Sequence, residues 1–115
     1  MKLKKLTVRP MINIIFKFKK NMIYQFEVKG HANMSTFGTD IVCSAISSTT
    51  LMTINGLLEV LNLNFEYDVK EGYTLCNLGD NLTKESQILL NSYFVFIKEL
   101  AIKYPKNLKL KIMEV

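Results

Sequence analysis

The chain has 115 residues, 49% of them hydrophobic, with two cysteines, one histidine and a formal net charge of +5, which is apolar material for one compact core and too little length for two ordinary domains. Polar or charged residues interrupt every hydrophobic run, so no segment reads as the ~18 consecutive apolar residues of a membrane span, and the basic start MKLKKLTVRPMINIIFKF lacks the long apolar stretch of a signal peptide. Cys43, Cys76 and His31 form neither a disulfide framework nor a zinc-ligand spacing, so the expectation is a cytoplasmic chain with reduced thiols, no metal and no cofactor.

In chain order, residues 1–10 carry Lys2, Lys4, Lys5 and Arg9 and no acid, leaving eleven basic side chains against ten acidic in residues 11–115. The excess charge is thus a basic tail on a nearly neutral domain, a pattern that more often marks a solvated segment than a nucleic-acid contact. From Met11 the period becomes two: Ile12, Ile14, Phe16 and Phe18, then Met22, Tyr24, Phe26 and Val28, joined through Lys19-Lys20-Asn21, which predicts a hairpin. The second strand runs out at Gly30-His31, and residues 32–39 have loop composition. Asp40 then precedes IVCSAISSTTLMTINGLLEVLN, whose apolar spacing predicts a long helix with Asp40 as N-cap and Cys43 in the first turn. The weak point is SAISSTT, a run of several poor helix formers, with Asn55-Gly56 as a potential turn.

Leu63, Phe65, Tyr67 and Val69 alternate with polar residues, and YTLCNL follows Lys70-Glu71-Gly72, a second hairpin by the same argument. The segment TKESQILLNSYFVFIKELAIKY offers Thr83 as a cap and ends before Pro105, so a second helix is expected. Leu108, Leu110 and Ile112 close the pattern as a strand. The order β-β-α-β-β-α-β predicts an α+β domain with two helices on a mixed or antiparallel sheet.

Chemistry concentrates in GHANMSTFGTDIVCSAISS, residues 30–48. A helix N-terminus favours a thiolate, and a neighbouring imidazole favours it further. The first-turn N–H groups then offer an oxyanion site, while His31 can accept the Cys43 proton and return it to a leaving amine. Asp40 either caps the helix or orients the imidazole; Ser47 lies one turn after Cys43 on the same face. The plainer alternative is a buried cysteine and a loop histidine, and the residue pattern alone leaves both readings open. Cys76, inside a strand, reads as core.

Gly30-His31-Ala32, Gly38, Asp40-Ile41-Val42-Cys43 and Ser47, together with Asn55-Gly56, Gly72-Tyr73 and Lys103-Tyr104-Pro105, resemble the signature of the ribosomal-processing cysteine protease family of Firmicutes and related bacteria. The likeness runs from Met11 through the final strand. It implies a cysteine endopeptidase that removes the N-terminal extension of a large-subunit ribosomal protein, the one numbered twenty-seven, cutting after a Phe-Phe pair through a thioester. It implies His31 and Cys43 as the dyad, with Gly30, Asp40 and Ser47 supporting them. It also implies a substrate-facing loop in which Met34, Phe37 and Gly38 lie, and a homodimer. Residues 1–10 precede the family's usual start, and Ser44 replaces its common alanine. The competing expectation is a non-catalytic, ribosome-associated dimeric binding factor; neither reading calls for a membrane or for direct nucleic-acid contact.

Overall fold

A computed structural model describes residues 11–30 and 37–115, the side chains of 37–40 excepted. Strands β1 (Ile12–Lys19) and β2 (Met22–Lys29) pair antiparallel across a tight turn, in which Lys20 and Asn21 both take positive φ, 51° and 65°, the backbone of a two-residue hairpin matched to strand twist. Helix α1 (Phe37–Asn55) continues into a π-helical segment (Gly56–Val60). Strands β3 (Glu66–Lys70) and β4 (Tyr73–Asn77) form the second hairpin, followed by α2 (Lys84–Lys103) and β5 (Leu108–Glu114). The sheet order is β3-β4-β2-β1-β5, antiparallel except for β5, which lies parallel to β1. The expected α+β architecture, with two helices on a mixed sheet, is the one observed.

Alternation sends one side chain set to each face of the sheet. Phe16 pairs with Phe26 and Phe26 with Cys76, so all three point to the helix side, where each is fully buried. There Phe16 and Phe26 meet Tyr93 of α2, with ring centroids 5.5 and 4.8 Å apart, and Phe94 stands edge-on to Phe16 at 4.9 Å. The opposite face is open and carries Asn13, Glu27, Lys29, Tyr73 and Lys111, among others, on paired positions.

In the hydroxyl-rich helix α1 two threonines bond back to the helix, while a third, Thr50, bonds the Tyr93 hydroxyl of α2. Thr49 Oγ1 donates to the Ala45 carbonyl at 2.7 Å and Thr53 Oγ1 to the Thr49 carbonyl at 2.8 Å, leaving Val42, Ile46, Ile54 and Leu57 for the core. Asn55-Gly56 is not a turn: the helix widens there, with the Leu61 N–H donating to the Gly56 carbonyl at 2.9 Å. A Cβ on Gly56 would stand 2.6 Å from Leu89 Cδ2, so glycine lets this segment approach α2.

Two expectations need correction. The helix begins at Phe37, not after Asp40; Asp40 is therefore its fourth residue, and Phe37 and Gly38 belong to its first turn rather than to a loop. An aspartate is favourable throughout a helix's first turn, where N–H groups are unpaired, so it signals a helix start without fixing the cap position. Second, Ile41–Val60 does satisfy length and composition for a membrane span, with mean hydropathy 1.5, because threonine and serine interrupt the apolar run without lowering its average much. About 33% of it is buried inside the fold, with Val42, Ile46, Ile54 and Leu57 in the hydrophobic core.

Candidate active site

The end of the sheet where β2 finishes is held by backbone. Gly30 donates its N–H to the Gly72 carbonyl at 2.8 Å, tying the end of β2 to the β3–β4 turn. Gly30 has φ +86°, and a Cβ there would lie 2.9 Å from the Met11 carbonyl oxygen; both conformation and space exclude a side chain. The chain thus leaves β2 at a defined point. His31 and Met34 follow it and lie outside the described residues.

Helix α1 starts at Phe37, seven residues past Gly30. Cys43, its seventh residue, is a free thiol, half-buried and packed on the edge of the core. It belongs to the second turn, not the first. The unpaired N–H groups of a helix start lie in its first turn, which here precedes Cys43. Ser47 is exposed one turn later on the same side of α1 as Cys43. Asp40 shares the helix with Cys43, and its side chain lies outside the description.

Cys76 is the opposite kind of thiol. It is fully buried between β2 and β3, and desolvation pushes its pKa up from 9.0 to about 12, which keeps it protonated and inert at neutral pH. The structural reading of Cys76 holds. Beside the Gly30 anchor, the Tyr73 hydroxyl donates to Glu27 Oε2 at 2.5 Å; this bond, with burial and nearby carboxylates, raises Tyr73 to about 12, so the phenol stays a donor.

At about 100° per residue, Cys43 falls in phase between Thr50 and Ile54, both buried. Ser48, Met52 and Gly56 lie on another side of α1, where with Ile88 and Ser92 of α2 they border an apolar groove of about 840 Å³. At the β3 edge of the sheet cover stops. Tyr67 pairs with Cys76 and shares its face, yet Cys76 is 0% exposed while Tyr67 is 48% and Val69 45%. Sequence alternation assigned Tyr67 and Val69 to a strand but gave no sign that this strand lies beyond the helices; sheet order is what reveals it.

The described residues thus supply a half-buried free cysteine early in α1 and an anchored end to β2, after which the sequence carries the chain's one histidine. Residues 11–109 match the family described as cysteine protease Prp, and the chain belongs to that family. It is a cysteine peptidase, which sets aside the non-catalytic alternative. It is 26% identical over 93 residues to the ribosomal processing cysteine protease Prp of Bacillus subtilis, covering 76% of this chain and 83% of that one, and 25% identical over 83 residues to the Prp of Staphylococcus aureus, covering 70% and 78%. Among solved structures, a Streptococcus mutans protein superposes with a TM-score of 0.79 at 29% identity, covering 92% of this chain and 97% of the other. The Staphylococcus aureus Prp in complex with a substrate peptide superposes with a TM-score of 0.80 at 19% identity, covering 89% and 99%, a likeness of fold.

Proposed function

We propose that this protein is a cytoplasmic endopeptidase that removes the N-terminal extension of a large-subunit ribosomal protein precursor, the one numbered twenty-seven, with Cys43 as nucleophile and His31 as its base. The observation that carries the reading is the contrast between the two thiols: Cys43 is reachable on the flank of α1 while Cys76 is sealed in the core. The relatives named for ribosomal processing, and the Staphylococcus aureus enzyme with a substrate peptide, support the substrate class.

In this mechanism the imidazole takes the thiol proton, and the Cys43 sulfur attacks the scissile carbonyl carbon to give a tetrahedral oxyanion. The C–N bond then breaks as the imidazolium returns its proton to the departing amine, leaving a thioester. Water, deprotonated by the same imidazole, adds to the thioester, and the carboxylate product leaves with the thiol restored. Asp40 and Ser47 support the pair, Gly30 fixes where His31 begins, and Met34, Phe37 and Gly38 contribute to substrate contact. The protein works as a homodimer: exposed Leu51, Met52, Val60 and Ile88 form an apolar outer surface of the kind that subunits cover.

The test is mass spectrometry of a peptide carrying the precursor's extension. Wild type is expected to cut it once, and Cys43→Ala and His31→Ala to lose roughly 10⁴-fold or more in rate. Persistent cleavage by Cys43→Ala would overturn the assignment. Sedimentation of Met52→Glu against wild type tests the dimer; an unchanged dimer places its interface elsewhere.

A further inference from the structure

The near-neutrality of residues 11–115 hides an asymmetry. Residues 94–115 hold five basic side chains against two acidic ones, Glu99 and Glu114, while residues 11–93 hold six against eight. The five are Lys98 and Lys103 on α2, Lys106 in the connection that follows, and Lys109 and Lys111 on β5. All are exposed. None is in an ion pair among the described residues, whereas Lys19, Lys29 and Lys70 each have a carboxylate partner. The fold gathers them at one end of the sheet. Lys98 and Lys109 border a surface hollow of about 420 Å³ lined also by Ile102, Pro105 and Leu110; Lys103 and Lys106 are the chain neighbours of Ile102 and Pro105. Lys111 follows Lys109 on the same face of β5. Met11 lines the same hollow, so residues 1–10, with Lys2, Lys4, Lys5 and Arg9, join the domain there.

Like charges gathered without counter-charges repel one another, and they suit a partner whose negative charges are dense and repeated. Lysine meets a phosphate as a point charge on a flexible stem, with no fixed geometry to satisfy. None of the residues lining the hollow is aromatic, so it offers no platform for stacking a base, and the contact is to the phosphate backbone. We propose that Lys98, Lys103, Lys106, Lys109 and Lys111 form an RNA-binding surface that holds the backbone without reading its sequence. The choice of RNA among polyanions rests on the reading above, in which the enzyme acts on a protein of the ribosome, a particle built on RNA. A ribosomal protein that binds RNA is itself basic and gains nothing from these lysines, so the surface serves to hold the enzyme on the RNA that its substrate joins.

The experiment measures binding of a fluorescein-labelled oligouridine, about twelve nucleotides long, by anisotropy at salt from about 50 to 200 mM. It compares wild type, a triple variant carrying Lys98→Glu, Lys109→Glu and Lys111→Glu, and Lys84→Glu at the other end of α2. Wild type is expected to bind with Kd of about 10⁻⁵ M, log K falling against log salt with a slope of about −3, since each phosphate contact on a single strand contributes ~0.7. The triple variant should bind at least about tenfold more weakly, with a slope shallower by about 2. Lys84→Glu should bind as wild type does, and circular dichroism of all three should coincide. A triple variant that binds RNA like wild type places the binding on residues 1–10 and overturns the surface. Tighter binding of wild type to phosphatidylglycerol vesicles or to polyglutamate than to RNA makes the face a membrane or acidic-protein site and also overturns it. Binding is read without cleavage, so the two readings fail separately. A wild type that cuts the precursor peptide but does not bind RNA overturns this surface alone, and one that binds RNA but leaves the peptide intact overturns the protease substrate alone.

Discussion

Helix α2 opens on a reciprocal cap, the Thr83 hydroxyl accepting from the Ser86 N–H and the Ser86 hydroxyl accepting from the Thr83 N–H, both at 3.0 Å. Its Gln87 clamps both the N–H and the carbonyl of Ile23 at 2.8 Å, and its Tyr93 and Phe94 join the ring cluster on β1 and β2. Helix α1, against the same sheet, turns the Thr49 and Thr53 hydroxyls on its own backbone, ends in a wider π-helical turn and keeps Ile41, Leu51 and Met52 exposed. The two cysteines divide the same way, Cys76 within the stable side and Cys43 on the open one. The division runs between buried and uncovered faces rather than between the two helices, since α2 also leaves Ile88, Val95, Phe96 and Ile102 exposed; apolar area left uncovered on either contributes little to folding and is available for binding.

If that division is right, substitutions on the two sides separate widely in stability. The largest loss is expected for Phe16→Ala, about 3–5 kcal/mol, against less than ~0.5 kcal/mol for Ile41→Ser, both by urea unfolding; comparable losses would erase the contrast. Next comes the seam between the helices. Gly56→Ala places a methyl against Leu89 and should cost about 1–3 kcal/mol, part of which a second change, Leu89→Ala, recovers by making room; strict additivity of the pair would mean the close approach is unimportant. Thr83→Ala should cost about 1 kcal/mol, and failure to see it would mean the cap is dispensable.

The smallest effect is nil at neutral pH and appears only in alkali. The Cys76 thiol is raised from 9.0 to about 12 by burial, so its contribution is complete below pH 9, where both folded and unfolded forms hold the proton. It is lost as pH climbs toward 12, because the unfolded chain releases that proton first. Buried Tyr93 is raised in the same direction by desolvation and steepens the decline. Unfolding free energy measured from pH 8 to 11 should therefore fall, and fall less steeply in Cys76→Ala. A slope indifferent to that change would place the alkaline sensitivity elsewhere.

Much of the fold was legible because burial on one face imposes a period. Ile12 to Phe18 and Met22 to Val28 alternate as half-covered strands must, and Thr83 and Pro105 bracket a helix with the chemistry of its ends. What could not be read was relational. Nothing local in LKLKIME states that it pairs with β1 in parallel. Nothing in EYDVK states that it lies past the helices. The start of α1 was misplaced because Asp40 is favoured anywhere in a first turn. Cys43 stood out through the wording around it, whereas the exposure of Tyr67 and Val69, ordinary strand residues, became legible only when sheet order set them at a rim.

The parallel pairing of β5 with β1 also bears on how the chain reaches this structure. β1 meets β2 across a two-residue turn, a contact formed within microseconds. Its other side waits for Leu108–Glu114, after both helices and the second hairpin have been made. Until then the nascent sheet exposes a hydrophobic, unpaired border along Ile12–Lys19, a template for mispairing between neighbouring chains. Closing it is the slow, topologically distant step, and conditions that delay it should yield aggregates rather than partly active enzyme.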